Sequence, residues 1–209
     1  SEEEEGFKSL VIARVNNYVN VRDIPSEDGE IVGKLYDKSV GTFIEESDGW
    51  YKISSGSVEG YVKAEFCVTG DDAVSYAREV GTRIATVTTT TLYVREQPGT
   101  DSTIRGMVPI EDELIVTEEL DGWVKVNIEE GDGYVSTDFV NMSTEFVKAE
   151  SIEEERARLE KEEAARQQAR AAAAAAESKR SESASSDSGS SGSEKTYAPP
   201  SGSASGQAV

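Results

Sequence analysis

Over the first two thirds of the chain apolar and polar residues keep changing places at short range, and after that they stop. Residues 11–22 are β-branched and partly alternating, with Tyr18-Val19-Asn20-Val21-Arg22 following an apolar run, which favours short strands over helix. Turn formers come at short intervals: Pro25, Asp28-Gly29, Asp48-Gly49, Gly56 and Gly60 divide the stretch up to residue 70 into about five strands. Pro98, Gly99, Asp121-Gly122 and Gly131 to Gly133 divide a second stretch in the same way. Five short strands in so few residues predict a small barrel, because closing the sheet removes edges that short strands leave open.

The two stretches are one pattern written twice, 73 residues apart and without a gap. Val21-Arg22, Pro25, Ile31, Gly33, Asp48-Gly49-Trp50, Lys52, Gly60-Tyr61-Val62 and Phe66 reappear as Val94-Arg95, Pro98, Ile104, Gly106, Asp121-Gly122-Trp123, Lys125, Gly133-Tyr134-Val135 and Phe139. That period is too long for one solenoid turn and suits a small domain. Two weak sites on one tether gain avidity, which is a reason to duplicate a binding module.

Between the repeats, Asp71 to Gly81 reads as a short helix, capped by Asp71 or Asp72 and ended by Gly81. From about Lys148 the chain turns to Glu, Arg, Lys, Gln and Ala, strong helix formers with opposite charges three or four apart. Ile152 and Leu159 are almost the only large apolar residues there, so this is an exposed helix without the sustained apolar seam of a coiled coil. The chain then becomes rich in Ser, Gly and Ala, a composition for a disordered linker. The expected fold class is therefore all-β: two small five-stranded barrels in tandem, then a charged α-helix and a disordered Ser-rich tail. The expected division is an acidic segment over 1–9, a first module over 10–70, a helical linker over 71–82, a second module over 83–142, a charged helix over 143–178 and a linker over 179–209.

Charge and composition narrow the function. The formal charge is −20, and residues 1–140 hold 29 Asp and Glu against 12 Lys and Arg, a balance of −17. Nucleic acid is repelled by such a surface, and no apolar run is long enough to enter a membrane. There is no histidine, which removes the arrangements that normally activate a thiol or hydroxyl, so no catalytic residue is expected in this chain. Cys67, the single cysteine, matches Val140 of the second repeat and reads as a small core residue. Adjacent acids such as Glu45-Glu46, Asp112-Glu113, Glu118-Glu119 and Glu129-Glu130 point to opposite faces of a strand and lack calcium-loop spacing, so no metal or cofactor is expected.

Val19-Asn20-Val21-Arg22, Ile31 to Leu35, Asp48 to Ile53 and Gly60-Tyr61-Val62, with their counterparts Leu92 to Arg95, Gly122 to Val126 and Gly133 to Val140, together resemble the bacterial SH3 domain. The resemblance covers about residues 10–69 and 83–141 and implies SH3-like barrels. Such tandem domains are known from the non-catalytic region of exported cell-wall hydrolases, above all NlpC/p60-type cysteine peptidases, where they bind wall material or shape the approach to the catalytic domain. It implies an extracellular, wall-associated location, with no signal peptide present in this chain.

Alternation along the tryptophan strands puts Val124 and Val126, and likewise Tyr51 and Ile53, on one face. Trp50 and Trp123 take the other. In eukaryotic relatives the matching Trp lines the ligand groove together with a closing aromatic, here Phe66 and Phe139. These four rings are either a wall for a sugar or short peptide or a cover for the barrel's open end. The groove proline of those relatives is replaced by Lys63 and Ser136, which argues against polyproline ligands. Arg22 and Arg95 either engage a ligand carboxylate or form structural ion pairs. The function expected first is binding of peptidoglycan stem or bridge peptides, or substrate positioning, for an exported wall hydrolase. An NlpC/p60 endopeptidase whose catalytic domain lies beyond residue 209 is the second expectation, and a surface-displayed interaction or spacer module is the third.

Overall fold

The computed structural model describes residues 1–188. It begins with α1 (Glu2–Phe7), set by a capping box in which the Ser1 hydroxyl accepts from the Glu4 amide and the Glu4 carboxylate reaches back to Ser1. The first repeat then forms β1 (Leu10–Ala13), β2 (Tyr18–Arg22), β3 (Ile31–Tyr36), β4 (Val40–Ser47), β5 (Trp50–Ser55), β6 (Val58–Lys63) and β7 (Cys67–Val68). After α2 (Gly70–Val80), the second repeat forms β8 (Thr82–Val87), β9 (Thr91–Arg95), β10 (Ile104–Pro109), β11 (Glu113–Glu119), β12 (Trp123–Ile128), β13 (Gly131–Ser136) and β14 (Val140–Glu145). A short β15 (Glu150–Ser151) leads into α3 (Ile152–Ser188).

Each repeat has seven strands where five were expected, because β1 and β7, like β8 and β14, stand apart from the turn-marked hairpins. The hydrogen-bonded order is β15-β3-β2-β6-β5-β4-β1-β7 in the first sheet and β10-β9-β13-β12-β11-β8-β14 in the second. The second order is the first repeated strand for strand, except that β15 has no counterpart. Val11, Val21, Leu35, Ile53 and Val62 centre the first core; Val94, Val124, Val126 and Val135 centre the second.

A third core packs α1, α2 and Phe146 against the first repeat, which explains why Leu10 to Ala13 is an unbroken apolar run: all four residues of β1 are buried. Val11 and Ala13 face the first core, whereas Leu10 and Ile12 face Phe7, Val40 and the Ala73, Tyr76 and Ala77 face of α2. The Arg14 guanidinium lies 4.3 Å from the centre of the Tyr76 ring. Asp71 and Asp72 are not the cap of α2: Thr69 occupies that position, and the two acids lie in the first turn, where the helix dipole favours them. Gly81 ends the helix with φ −77°, so its lack of a side chain answers to packing, since a Cβ would sit 2.4 Å from Thr144 and 2.8 Å from Phe146.

The chain beyond β14 turns back onto the first repeat. Phe146 packs edge-on against Phe7 with ring centres 5.6 Å apart, and the Val147 carbonyl accepts from the Val40 amide. Ala149 is buried in the first core, its amide donating to the buried Ser55 hydroxyl at 2.8 Å, while that hydroxyl donates to the Val40 carbonyl. β15 pairs with β3 through Glu150 opposite Lys34 and Ser151 opposite Gly33, where a Cβ would come within 2.7 Å of the Glu150 carbonyl. The charged helix expected over 143–178 thus begins at Ile152, fixed by a Ser151–Glu154 capping box, and continues to Ser188. Residues 179–188, expected as linker, belong to it; the rest of that linker, 189–209, lies outside the described residues. Residues 156–186 of the helix are exposed and carry pairs such as Arg158–Glu162 at 3.0 Å.

Arg83 holds α1 against the second repeat, donating to both oxygens of Glu3 at 2.9 Å. The hydrogen bond from the Thr144 hydroxyl, reinforced by Arg83, holds the Glu3 carboxyl below its ordinary value of 4.5. A lowered carboxylate value stabilises the fold above pH 4.5 and loses that contribution as the pH falls through the folded value. The group is partly exposed, so the effect should stay under about 1 kcal/mol. Thermal midpoints of the parent and Glu3→Gln should differ at neutral pH and converge below pH 4.5.

Candidate functional site

Each repeat builds the same groove from three pieces. The tight β4–β5 turn uses Asp48 and Gly49 at φ +49° and +87°, and Trp50 follows at once on β5. The Gly49 carbonyl then accepts from the Ala64 amide at 2.9 Å, drawing in the 3₁₀ turn Ala64–Phe66 that carries the second ring. In the second repeat the Gly122 carbonyl accepts from Thr137 at 3.0 Å and brings Phe139 to Trp123 in the same way. The outward face of β2 or β9 supplies the third piece, since Val19 and Val21, or Leu92 and Val94, take the core face.

The first groove, about 300 Å³, is lined by Tyr18, Asn20, Arg22, Glu27, Trp50, Lys63 and Phe66. The second, about 360 Å³, is lined by Tyr93, Arg95, Thr100, Trp123, Ser136, Asp138 and Phe139, together with Thr89, Thr91 and Leu92. All six residues singled out in the sequence are thus brought together, three in each groove. The tryptophans are half-buried and both phenylalanines exposed. Tyr18 and Tyr93 were missed; the alternation that places Arg22 and Arg95 on the outward face also placed them there.

Among the described residues neither Arg22 nor Arg95 forms an ion pair. Each donates through Nη1 to a backbone carbonyl of the following loop, Arg22 to Gly29 and Arg95 to Ser102, both at 2.8 Å. They hold the β2–β3 and β9–β10 loops at the groove rim. Lys63 is paired with Glu27, whose hydrogen bond raises the lysine's pKa, and its ammonium lies 5.9 Å from the Trp50 ring centre.

A larger hollow of about 490 Å³ beside α1 is lined by Ser1, Glu3, Arg78, Arg83, Glu119 and Thr144. Its charges face one another: Arg78 pairs with Glu4, and Arg83 with Glu3 and Glu119. Cys67 is partly buried against the first core, and burial pushes its thiol up to about 12. Cys67→Val should change stability by less than about 1 kcal/mol. The native thiol should react with a disulfide reagent only slowly until denaturant is added. No helix among the described residues is long and apolar enough to cross a membrane.

Strand order, the Gly-Trp turn and the closing Gly-Tyr-Val strand with its aromatic 3₁₀ turn recur in both halves, and the bacterial SH3 domain family matches residues 17–67 and 90–141. The chain belongs to that family, which it carries twice. It is 25% identical over 132 residues to the protein named "Putative N-acetylmuramoyl-L-alanine amidase YrvJ" of Bacillus subtilis (strain 168), an alignment covering 60% of this chain and 26% of that one. The chain therefore spans about a quarter of that relative's length. Among solved structures it is similar to NlpC2 and NlpC1 from Trichomonas vaginalis, each at 15% identity and 64% coverage of this chain. The matches cover 47% and 45% of those chains, with TM-scores of 0.28 and 0.27.

Proposed function

We propose that this chain is the wall-binding and substrate-positioning region of an exported cell-wall hydrolase, with peptidoglycan stem or bridge peptides as its ligands. The observation that carries this reading is the aromatic groove present in both bacterial SH3 domains, with Trp and Phe rings on one side and an arginine-held loop on the other. Each sheet is read as closing into a small barrel with the groove outside it. The two repeats are acidic, with a balance of −17 over residues 1–140, so the amines of wall peptides are the electrostatic handle, and anionic wall polymers are disfavoured. The corresponding location is extracellular and wall-associated.

Catalysis is assigned to another part of a longer protein, since residues 1–209 contain no histidine. The amidase name of YrvJ, of which this chain matches only about a quarter, supports that division of labour. An NlpC/p60-type cysteine peptidase remains the domain expected from the resemblance. The test is sedimentation with purified peptidoglycan, in which the 209-residue chain should pellet without releasing stem peptides. Recovery in the supernatant at all salt concentrations would leave a spacer or protein-interaction module as the better account.

A further inference from the structure

The two grooves share a plan; Thr91 stands where the first has Tyr18 and Tyr93 where it has Asn20, and the differences around the tryptophan concern one charge. In the first, Lys63 stands across the ladder from Trp50, and its ammonium lies over that ring. Two carboxylates hold it, Glu27 from the β2–β3 loop and Glu65 at 3.8 Å. The first groove thus contains an ammonium of its own, seated on an aromatic face between acids.

The second groove keeps the seat and lacks the occupant. Trp123 replaces Trp50 and Asp138 replaces Glu65, but Lys63 has become Ser136 and Glu27 has become Thr100, side chains too short to reach over the ring. The flank differs in the same sense. Beside the first groove, Lys34 lies 4.5 Å from the Tyr18 ring centre and pairs with Glu155, while β15 covers the outer edge of β3. Beside the second, Met107 takes the place of Lys34 opposite Tyr93 and is 62% exposed. Among the described residues no strand pairs with the outer side of β10.

We infer that the second groove takes a primary ammonium from its ligand at the place where Lys63 puts its own in the first, between the Trp123 ring and the Asp138 carboxylate. Tyr93 and Met107 carry the apolar part of the same ligand. This rests on the wall-peptide reading and assigns recognition to one repeat. An ammonium over a tryptophan face gains from the ring quadrupole and from the nearby carboxylate together, and a methionine accepts apolar groups of varied shape. The first repeat keeps the fold of a binding module and serves as scaffold.

Two single-tryptophan proteins test it. Trp50→Phe leaves Trp123 as the only reporter, and Trp123→Phe leaves Trp50. Each is titrated with a synthetic stem peptide bearing a free side-chain amine and with the same peptide acetylated on that amine. Trp123 fluorescence should saturate with the amine peptide, with a Kd at least about tenfold higher for the acetylated form, and Trp50 should not respond. Ser136→Lys in the Trp50→Phe background supplies the missing internal ammonium and should weaken peptide binding about tenfold while leaving the thermal midpoint in place. The first repeat already tolerates lysine there. Equal response of Trp50, equal affinity for the acetylated peptide, or indifference to Ser136→Lys would each overturn the inference and leave the wall-peptide reading standing. If neither tryptophan responds and the parent also fails to sediment with peptidoglycan, both fall.

Discussion

An Ala149→Asp variant should unfold in two steps, with the first repeat melting well below the second. Ala149 comes after the second repeat in sequence yet lies in the core of the first at 5% exposure, with its amide donating to the Ser55 hydroxyl. A carboxylate at that position would be placed among the apolar side chains of the first core, and an uncompensated buried charge costs about 3 to 5 kcal/mol. Against a total stability on the order of 5 to 15 kcal/mol, that is enough to expel the segment. With it go the β3–β15 pairing and the Phe146 contact to Phe7, which tie the first repeat to the segment leaving β14. The second core does not include these residues and should keep its own transition. Calorimetry decides between the outcomes: one cooperative transition for the parent, and two for the variant with the lower displaced by roughly 10 °C or more. An unchanged single transition would mean that residues 146–151 do not hold the first repeat in solution.

Replacing Trp123 by alanine should lower affinity for insoluble peptidoglycan by about thirtyfold or more, the loss expected when a central aromatic anchor is truncated. Trp50→Ala should cost less than about threefold, because the ring it removes is already covered by the ammonium of Lys63. Both tryptophans lie off the main cores, on the face opposite Val124 and Val126 or Ile53, so circular dichroism of both variants should match the parent. Unfolded variants would make the rings structural and remove the binding proposal. Equal losses would restore two equivalent sites joined by avidity.

Much of this architecture was legible because period-two alternation and turn residues are local signals. Leu92-Tyr93-Val94-Arg95 reads inward, outward, inward, outward, and the structure buries Leu92 and Val94. The groove was legible in outline because Trp and Arg of each repeat fall on outward strand positions, while Phe66 and Phe139, which sit in 3₁₀ turns, were legible only through the family resemblance. The features that escaped were non-local. Lys148-Ala149-Glu150 has the composition of a helix, and only the vacancy beside Val58 and Gly33 makes an extended strand the better choice, so tertiary packing overrides propensity there. The arginine partners escaped too, because a loop carbonyl leaves no mark in the side-chain sequence. Two misses were avoidable: Ser1-x-x-Glu4 and Ser151-x-x-Glu154 are capping boxes, and each marks the start of a helix.

The return of residues 146–151 to the first sheet also sets an order of events during synthesis. Domains usually fold as units while the chain emerges, the N-terminal one first. Here the residues that complete the first repeat are translated after all of the second, so the nascent first repeat must wait with the outer edge of β3 and the Ser55 site uncovered. The second repeat has its core between Ala85 and Met142 and can close earlier. The later-made module is then the one able to finish first, and the earlier-made one gains its last core and sheet contacts only after residues 146–151 have emerged from the ribosome.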